Sequence, residues 1–525
     1  MTLGEALGLA EAGRVDEAIR IALAELDRAE TPQARYVFTR CIESARLTRV
    51  PSRVRALVVR ALREAWIRPE DLARGAVSLL RGSPPIDRTD PLLLALLETS
   101  PVPDAKLERF LTQARRELLE AAVRDDDSVV TDFEAALAHV CLRNDFVFDA
   151  LDDELSVVAR LRSDLEAALG SGRPVGERRL LAAACYFPLV GLTHSAALLD
   201  PAWSARLEDV LRVHVREPIE ERGLRARMPR LTDIADGVSE AVRAQYEESP
   251  YPRWSSLEPA GAPVALDTYL RQRVAGLPRE PIEGTQLLVA GCGTGREPIG
   301  LARQVAGSQV LAVDLSLASL GYAQRKAVEL GADNVEFAQA DIVRLGSIGR
   351  TFGYISSSGV LHHLADPAEG LRNLVPLLRP GGYMMLGLYS ELGRRAVVAA
   401  RRHIAERGYA PTADGIRRCR RDILAADAGE LAQVMSFDDF FVGSECRDLL
   451  FHVQEHRFTV SKIAALLESA GLAFAGFSVP PSTRQLYARQ FPEDPHGLVL
   501  GNWQSFEEAH PQTFAGMYFF LARKP

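Results

Sequence analysis

The stretch LLVAGCGTGREPIGLA, residues 287 to 302, constrains this chain more than any other: an apolar run enters glycines at alternate positions, Gly291, Gly293 and Gly295, and leaves them as a helical pattern. Glycine lets the backbone turn sharply and approach a ligand, and the helix start that follows attracts negative or polar groups. A strand, a tight loop and a helix in that order open a parallel α/β sheet. The dinucleotide fingerprint would require glycine at 296 for close helix packing, where Arg296 stands, so the spacing turns the reading away from a dehydrogenase.

Downstream, short apolar runs alternate with helical segments. Strands are expected at 286–290, 309–313, 335–338, 354–357 and 383–388, with helices at 297–305, 317–330 and 367–377. The segments 473–479 and 517–523 read as a sixth strand and a seventh, antiparallel one. The fold class is therefore α/β: a doubly wound, seven-stranded Rossmann-like domain preceded by an all-α helical domain. In that first part, apolar residues recur at three- and four-residue spacing, as in Val15, Ala18, Ile19, Ile21, Ala22 and Leu26. Its opening, with Gly13 and Ala18, resembles half of a tetratricopeptide unit. No second copy follows at a 34-residue period, and an irregular bundle for packing, oligomerisation or substrate recruitment is expected. The expected division is 1–227 helical domain, 228–281 linker and active-site lid, and 282–525 sheet domain with an insertion at about 390–457. The linker is set by AQYEESPYPRWSSLEPAGAP, which cannot continue a helix past Pro250 and Pro252.

Three further features fall where a nucleoside-binding sheet needs them. Asp314 ends the second strand, 19 residues after Gly295, where a carboxylate can accept both ribose hydroxyls. Asp341, after the third strand, can accept from an adenine amino group, with Ile342 beside the ring. The fourth strand ends in SSSGVLHHL at the carboxyl edge, where open α/β folds bind ligands. Either acid alone would be read as a solvated surface carboxylate; their joint order and spacing reverse that.

Taken together, AGCGTG (290–295), VDLS (313–316), ADI (340–342), GVLHHL (359–364) and LLRPGGYMMLGLY (377–389) resemble the class I S-adenosylmethionine-dependent methyltransferases, especially the group with quinone-biosynthesis and other small-molecule enzymes. The resemblance implies S-adenosyl-L-methionine as cofactor. It places Gly291, Gly293 and Gly295 along the methionine part, Asp314 at ribose, and Asp341 with Ile342 at adenine, with Ala290, Cys292, Leu315 and Ser358 also among the cofactor-binding residues. Two departures stand out. The family usually carries an acid two residues before the first glycine, here Val289, and another after the aromatic of the fourth strand, here Gly353.

On the acceptor side, His363 of the LHH motif is the candidate base, with packing as its alternative role. Tyr246, Tyr251, Trp254 and Tyr389 are candidate acceptor-binding residues. Tyr246, Tyr251 and Trp254 form either a lid over the cofactor or a staple for the helical half. Arg394, Arg395, Arg401, Arg402, Arg407, Arg417, Arg418, Arg420 and Arg421 either hold an acidic group of the acceptor or form a solvated face pairing with acids of the helical half. His452 and His456 are spaced as one helical turn, but without a third ligand a structural role is expected and no metal is assigned.

Composition narrows the partners. A net charge of −8 argues against a nucleic-acid footprint. Six scattered cysteines suggest neither zinc nor disulfides, which fits a reducing cytoplasm, and no apolar run long enough to span a bilayer is seen. The expected partners are a methyl acceptor, small molecule or peptide, and a second copy of the chain through the helical domain. Three readings follow: methylation of a small molecule, methylation of a protein or peptide recruited by the helical domain, or a binding module that keeps cofactor affinity without transfer, to which Val289 and Gly353 point.

Overall fold

The computed structural model describes residues 3–43, 51–82, 85–124, 129–234, 236–248, 250, 252–278, 282, 284–426 and 429–525. Two compact units emerge. One comprises Met1–Ile219 with Arg253–Pro259 and His403–Leu449; the other comprises Glu220–Pro252 with Ala260–Arg402 and Leu450–Pro525.

Among its described residues the first unit is built from helices. Val15–Arg28 buries Ala18, Ile19, Ile21, Ala22 and Leu26, the stripe its periodicity requires. Helix starts are specified locally: Asp90 accepts from Leu92 N ahead of Pro91, Asp104 accepts from Lys106 N and Leu107 N, and Thr131 with Glu134 forms a capping box. The tetratricopeptide likeness ends with the first pair, Leu3–Glu11 and Val15–Arg28, which turns at Gly13 with φ +77°. Later helices within 32–219 range from the 7 residues of Ala205–Leu211 to the 19 of Ala105–Val123, so no fixed repeat stacks them. The segment 403–449 closes onto this unit through Arg420. That guanidinium donates to Glu108 Oε1 at 3.1 Å and Oε2 at 2.7 Å, and to the carbonyls of Val147 and Phe440.

The second unit holds a seven-stranded sheet in the order β3-β2-β1-β4-β5-β7-β6. The strands are β1 Gln286–Ala290, β2 Gln309–Asp314, β3 Val335–Gln339, β4 Phe352–Ser358, β5 Leu378–Leu388, β6 Ala473–Phe477 and β7 Tyr518–Arg523. All pairs from β3 across to β5 are parallel, and β7 runs antiparallel between β5 and β6. Leu287, Leu288, Val289 and Ala290 are all buried, as a strand with both faces covered demands. The helices Arg296–Gln304, Leu317–Glu329 and Pro367–Leu374 make the crossovers. Because the chain order reverses beside β1 (β3-β2-β1, then β4), the carboxyl ends of β1 and β4 flank the crevice where such folds take ligands. No helix of the described residues is long and apolar enough to cross a membrane.

Candidate cofactor site

The glycine loop needs its glycines for two separate reasons. Gly291, Gly293 and Gly295 have φ of +83°, +50° and +84°, which side-chain-bearing residues rarely adopt. A Cβ would also lie 2.4 Å from Val360 Cγ2 at Gly291 and 2.5 Å from Ala323 Cβ at Gly295. Gly291 N and Cys292 N donate to Val313 O, and Gly293 N donates to Asp314 Oδ2 at 2.8 Å, which ties the loop to the end of β2. Gly295 caps the helix Arg296–Gln304, and Ala290 is the buried last residue of β1.

Asp314 also accepts from Ser316 N at 2.9 Å, and burial raises its carboxyl above the ordinary range. Leu315 follows it, its carbonyl accepting from Gln339 Nε2. Asp341 lies at the matching end of β3: its N–H donates to Thr232 Oγ1 and its Oδ1 accepts from Val343 N. Asp341 Oδ2 is buried with no partner at hydrogen-bond geometry among the described residues, and burial raises this carboxyl too, against the nearby Ser239 side chain and Val343 N–H that lower it. An orphaned acceptor of this kind suits an incoming donor such as an amino group. Ile342 is buried beside it, and Ser358 ends β4 with its Oγ 3.3 Å from Ser356 Oγ.

The described residues among 229–252 run along this carboxyl edge. Leu231 N donates to Gln339 O, Ser316 Oγ donates to Tyr246 O, and Thr294 Oγ1 donates to Pro252 O. Glu247 accepts from Leu317 N at 2.6 Å and Ala318 N at 3.2 Å, at the start of the helix Leu317–Glu329. Neither Glu247 nor Thr232 is foreseeable, because a single polar residue in a linker has no periodicity to betray it.

At the ends of β4 and β5, the Tyr389 ring lies tilted against His362 with centroids 3.9 Å apart, and His363 stacks on His452 at 3.6 Å. Burial lowers His362 well below the ordinary imidazole range, so it is neutral. Both of its nitrogens lack hydrogen-bond partners among the described residues. The main chain of Gln454 bears on the other two rings. His363 Nδ1 lies 2.7 Å from Gln454 O and must donate to it, while Gln454 N–H donates to His452 Nδ1. In the neutral tautomers these bonds select, the His363 proton sits on Nδ1 and the His452 proton on Nε2, 3.4 Å from the Tyr246 hydroxyl.

The sequence profile of a family described as a methyltransferase domain matches residues 287–382, the span from β1 into β5. An uncharacterized protein of Synechococcus is 30% identical over 319 residues, covering 57% of this chain and 76% of that protein. A ubiquinone biosynthesis O-methyltransferase of Sinorhizobium medicae is 29% identical over 181 residues, 31% of this chain and 71% of the relative. The chain belongs to the class I S-adenosylmethionine-dependent methyltransferases. Its cofactor is S-adenosylmethionine, and the glycine cradle and the orphaned Asp341 oxygen fit such a ligand. Among solved structures, PKMT2 from Rickettsia typhi in complex with AdoHcy aligns with 18% identity and a TM-score of 0.39, over 52% of this chain and 54% of that one. The methyltransferase thus spans about half the length of that solved protein.

The remaining expectations divide. The arginines of the insertion do not form one open anion-binding face: Arg420 and Arg421 are held by Glu108 and Asp149, and Arg418 by Asp414. Arg394 and Arg401 share Glu455, with the Arg394 guanidinium 3.8 Å over the Tyr389 ring. His452 and His456 are not on one helical turn, because the helix Gly443–Phe451 ends before them. His456 instead contacts the carbonyls of Leu364 and Ala365. Trp254 is buried within the helical unit, where its neighbour Ser255 donates to Thr99 O. Tyr251 lies outside the described residues.

Proposed function

We propose that this methyltransferase methylates a hydroxyl oxygen of a small molecule and that His363 takes the hydroxyl proton. The supporting observation is the bond from His363 Nδ1–H to Gln454 O, which leaves Nε2 as the basic nitrogen in a residue at the carboxyl edge of the sheet. The O-methyltransferase names of relatives such as the Sinorhizobium protein favour an oxygen acceptor. When bound, the cofactor supplies a methyl group activated by its sulfonium. Transfer then needs the chain to bind, to align and to accept one proton. In this reading Ala290, Gly291, Cys292, Gly293, Gly295 and Ser358 line the methionine portion, Asp314 and Leu315 the ribose, and Asp341 and Ile342 the adenine. Tyr246 and Tyr389 wall the acceptor, and the described residues among 228–252 cover the edge. His363 holds the acceptor proton as the new C–O bond forms and releases it to water afterwards.

The test is incubation with small-molecule and protein fractions and a search for the mass gain of one methyl replacing hydrogen. His363→Asn should lower kcat by about 10²- to 10⁴-fold, the usual worth of a general base, while cofactor affinity holds. A gain confined to proteins or peptides would overturn the acceptor class. Full turnover by the variant would overturn the base.

A further inference from the structure

The cofactor's amino-acid portion carries an ammonium group, and the residues given to that portion so far offer it backbone groups and no carboxylate. One acid stands close by. Glu297 occupies the first turn of the helix that leaves the glycine loop, and Ser356 Oγ of β4 donates to its Oε1. Ser356 is in register with Val289 of β1, the position two residues before Gly291, and its hydroxyl is 3.3 Å from that of Ser358. A carboxyl carried by the helix is thereby held next to the end of β1, where Val289 offers none.

We propose that Glu297 binds the ammonium group of the cofactor's amino-acid portion, supplying from the helix the carboxylate that Val289 lacks. This rests on the cofactor-site reading above. An acid in a first helical turn also complements the helix dipole, and that role alone would suit a side chain left in water. Glu297 is turned onto β4 instead, and burial raises its carboxyl, which favours the neutral form until a cation arrives. The groups facing it are Ser356 and Tyr354 of β4, Cys292 of the loop, and Arg273 of the helix Leu266–Arg273, whose charge works against the rise. Binding of the ammonium then favours the ionised carboxyl, and affinity for a ligand bearing that group climbs with pH until the unliganded carboxyl is already ionised.

Two probes separate a binding role from a structural one. S-adenosylhomocysteine carries the ammonium; 5′-methylthioadenosine keeps the nucleoside and sulfur and lacks it. By calorimetric titration, Glu297→Gln should weaken S-adenosylhomocysteine on the order of 10- to 100-fold, the worth of a charged hydrogen bond, and leave 5′-methylthioadenosine within about twofold. In the unaltered protein, the ratio of the two affinities should rise with pH from the ordinary carboxylate range upward, which settles the matter even if the variant folds poorly. Equal weakening of both ligands, or a flat ratio, overturns the assignment of Glu297 alone. An unaltered protein that binds neither ligand overturns the cofactor site with it.

Discussion

The helical unit and the sheet unit both bury acids, but to different ends. In the helical unit Glu108 spends both oxygens on Arg420, and that guanidinium has two further carbonyls, so the group is closed. At the carboxyl edge of the sheet, Asp341 spends one oxygen on Val343 N and buries the other unbonded. An unsatisfied buried acceptor costs about 1–3 kcal/mol, a cost that folding alone gives no reason to keep. The closed acid holds a fold together; the open one waits for a donor. Substitutions should therefore strike stability in the first unit and affinity in the second.

The largest effect is expected at Arg420. Replacing it by methionine leaves Glu108 charged and uncompensated in the interior, a loss of about 3–5 kcal/mol in chemical denaturation. Adding Glu108→Leu should return most of that, because two apolar residues need no counter-charge. If the single variant unfolds at the same denaturant concentration as the parent, the pair does not close the unit and the contrast collapses.

Asp314 comes next. Asp314→Ala should weaken S-adenosylmethionine by about 1.5–3 kcal/mol, roughly 10- to 150-fold in Kd, since a charged acceptor facing hydroxyls is lost. Its pH linkage follows from the raised carboxyl. The folded chain holds that proton more tightly than the unfolded one, so the stability it contributes is full below the unfolded value and is lost as pH rises through the folded one. The alanine variant should flatten that part of the unliganded stability profile. Unchanged affinity would place the ribose elsewhere.

The same contrast explains what could be read in advance. The sheet unit writes its site in contiguous motifs: β1 spans Gln286–Ala290 as the apolar run implies, and Asp314 and Asp341 end or follow β2 and β3. Backbone demands put glycine at 291 and 295, and glycine is visible in any sequence. The helical unit closes with partners 312 and 272 positions apart, Glu108 with Arg420 and Asp149 with Arg421. A count of arginines cannot reveal whether each is spoken for. Gln454 was invisible for another reason: it acts through its main chain, so its side chain gives no clue. That same contact explains the misplaced histidines. His452 Nδ1 captures Gln454 N–H, which offers the backbone an alternative to continuing the helix past Phe451.

The smallest effect, at Glu247, sharpens the comparison most because stability and affinity should move in opposite directions. Its carboxylate accepts from Leu317 N and Ala318 N, the exposed donors of a helix start, where a negative charge is worth about 0.3–1 kcal/mol. Glu247→Gln keeps one acceptor oxygen and loses the charge. The melting temperature should fall by about 1–4 °C, taking 2–4 °C per kcal/mol for a unit of this size. Yet the same carboxylate repels Asp314 and adds to the rise of its carboxyl. Without that charge Asp314 ionises at lower pH, and an ionised Asp314 is the better acceptor for two hydroxyls. S-adenosylmethionine affinity at mildly acidic pH should therefore rise slightly in the variant and match the parent near neutrality. A fall in stability and affinity together would mean that Glu247 touches the cofactor itself. A melting temperature that does not move would mean that water already satisfies the helix start, and that the linker acid adds nothing there.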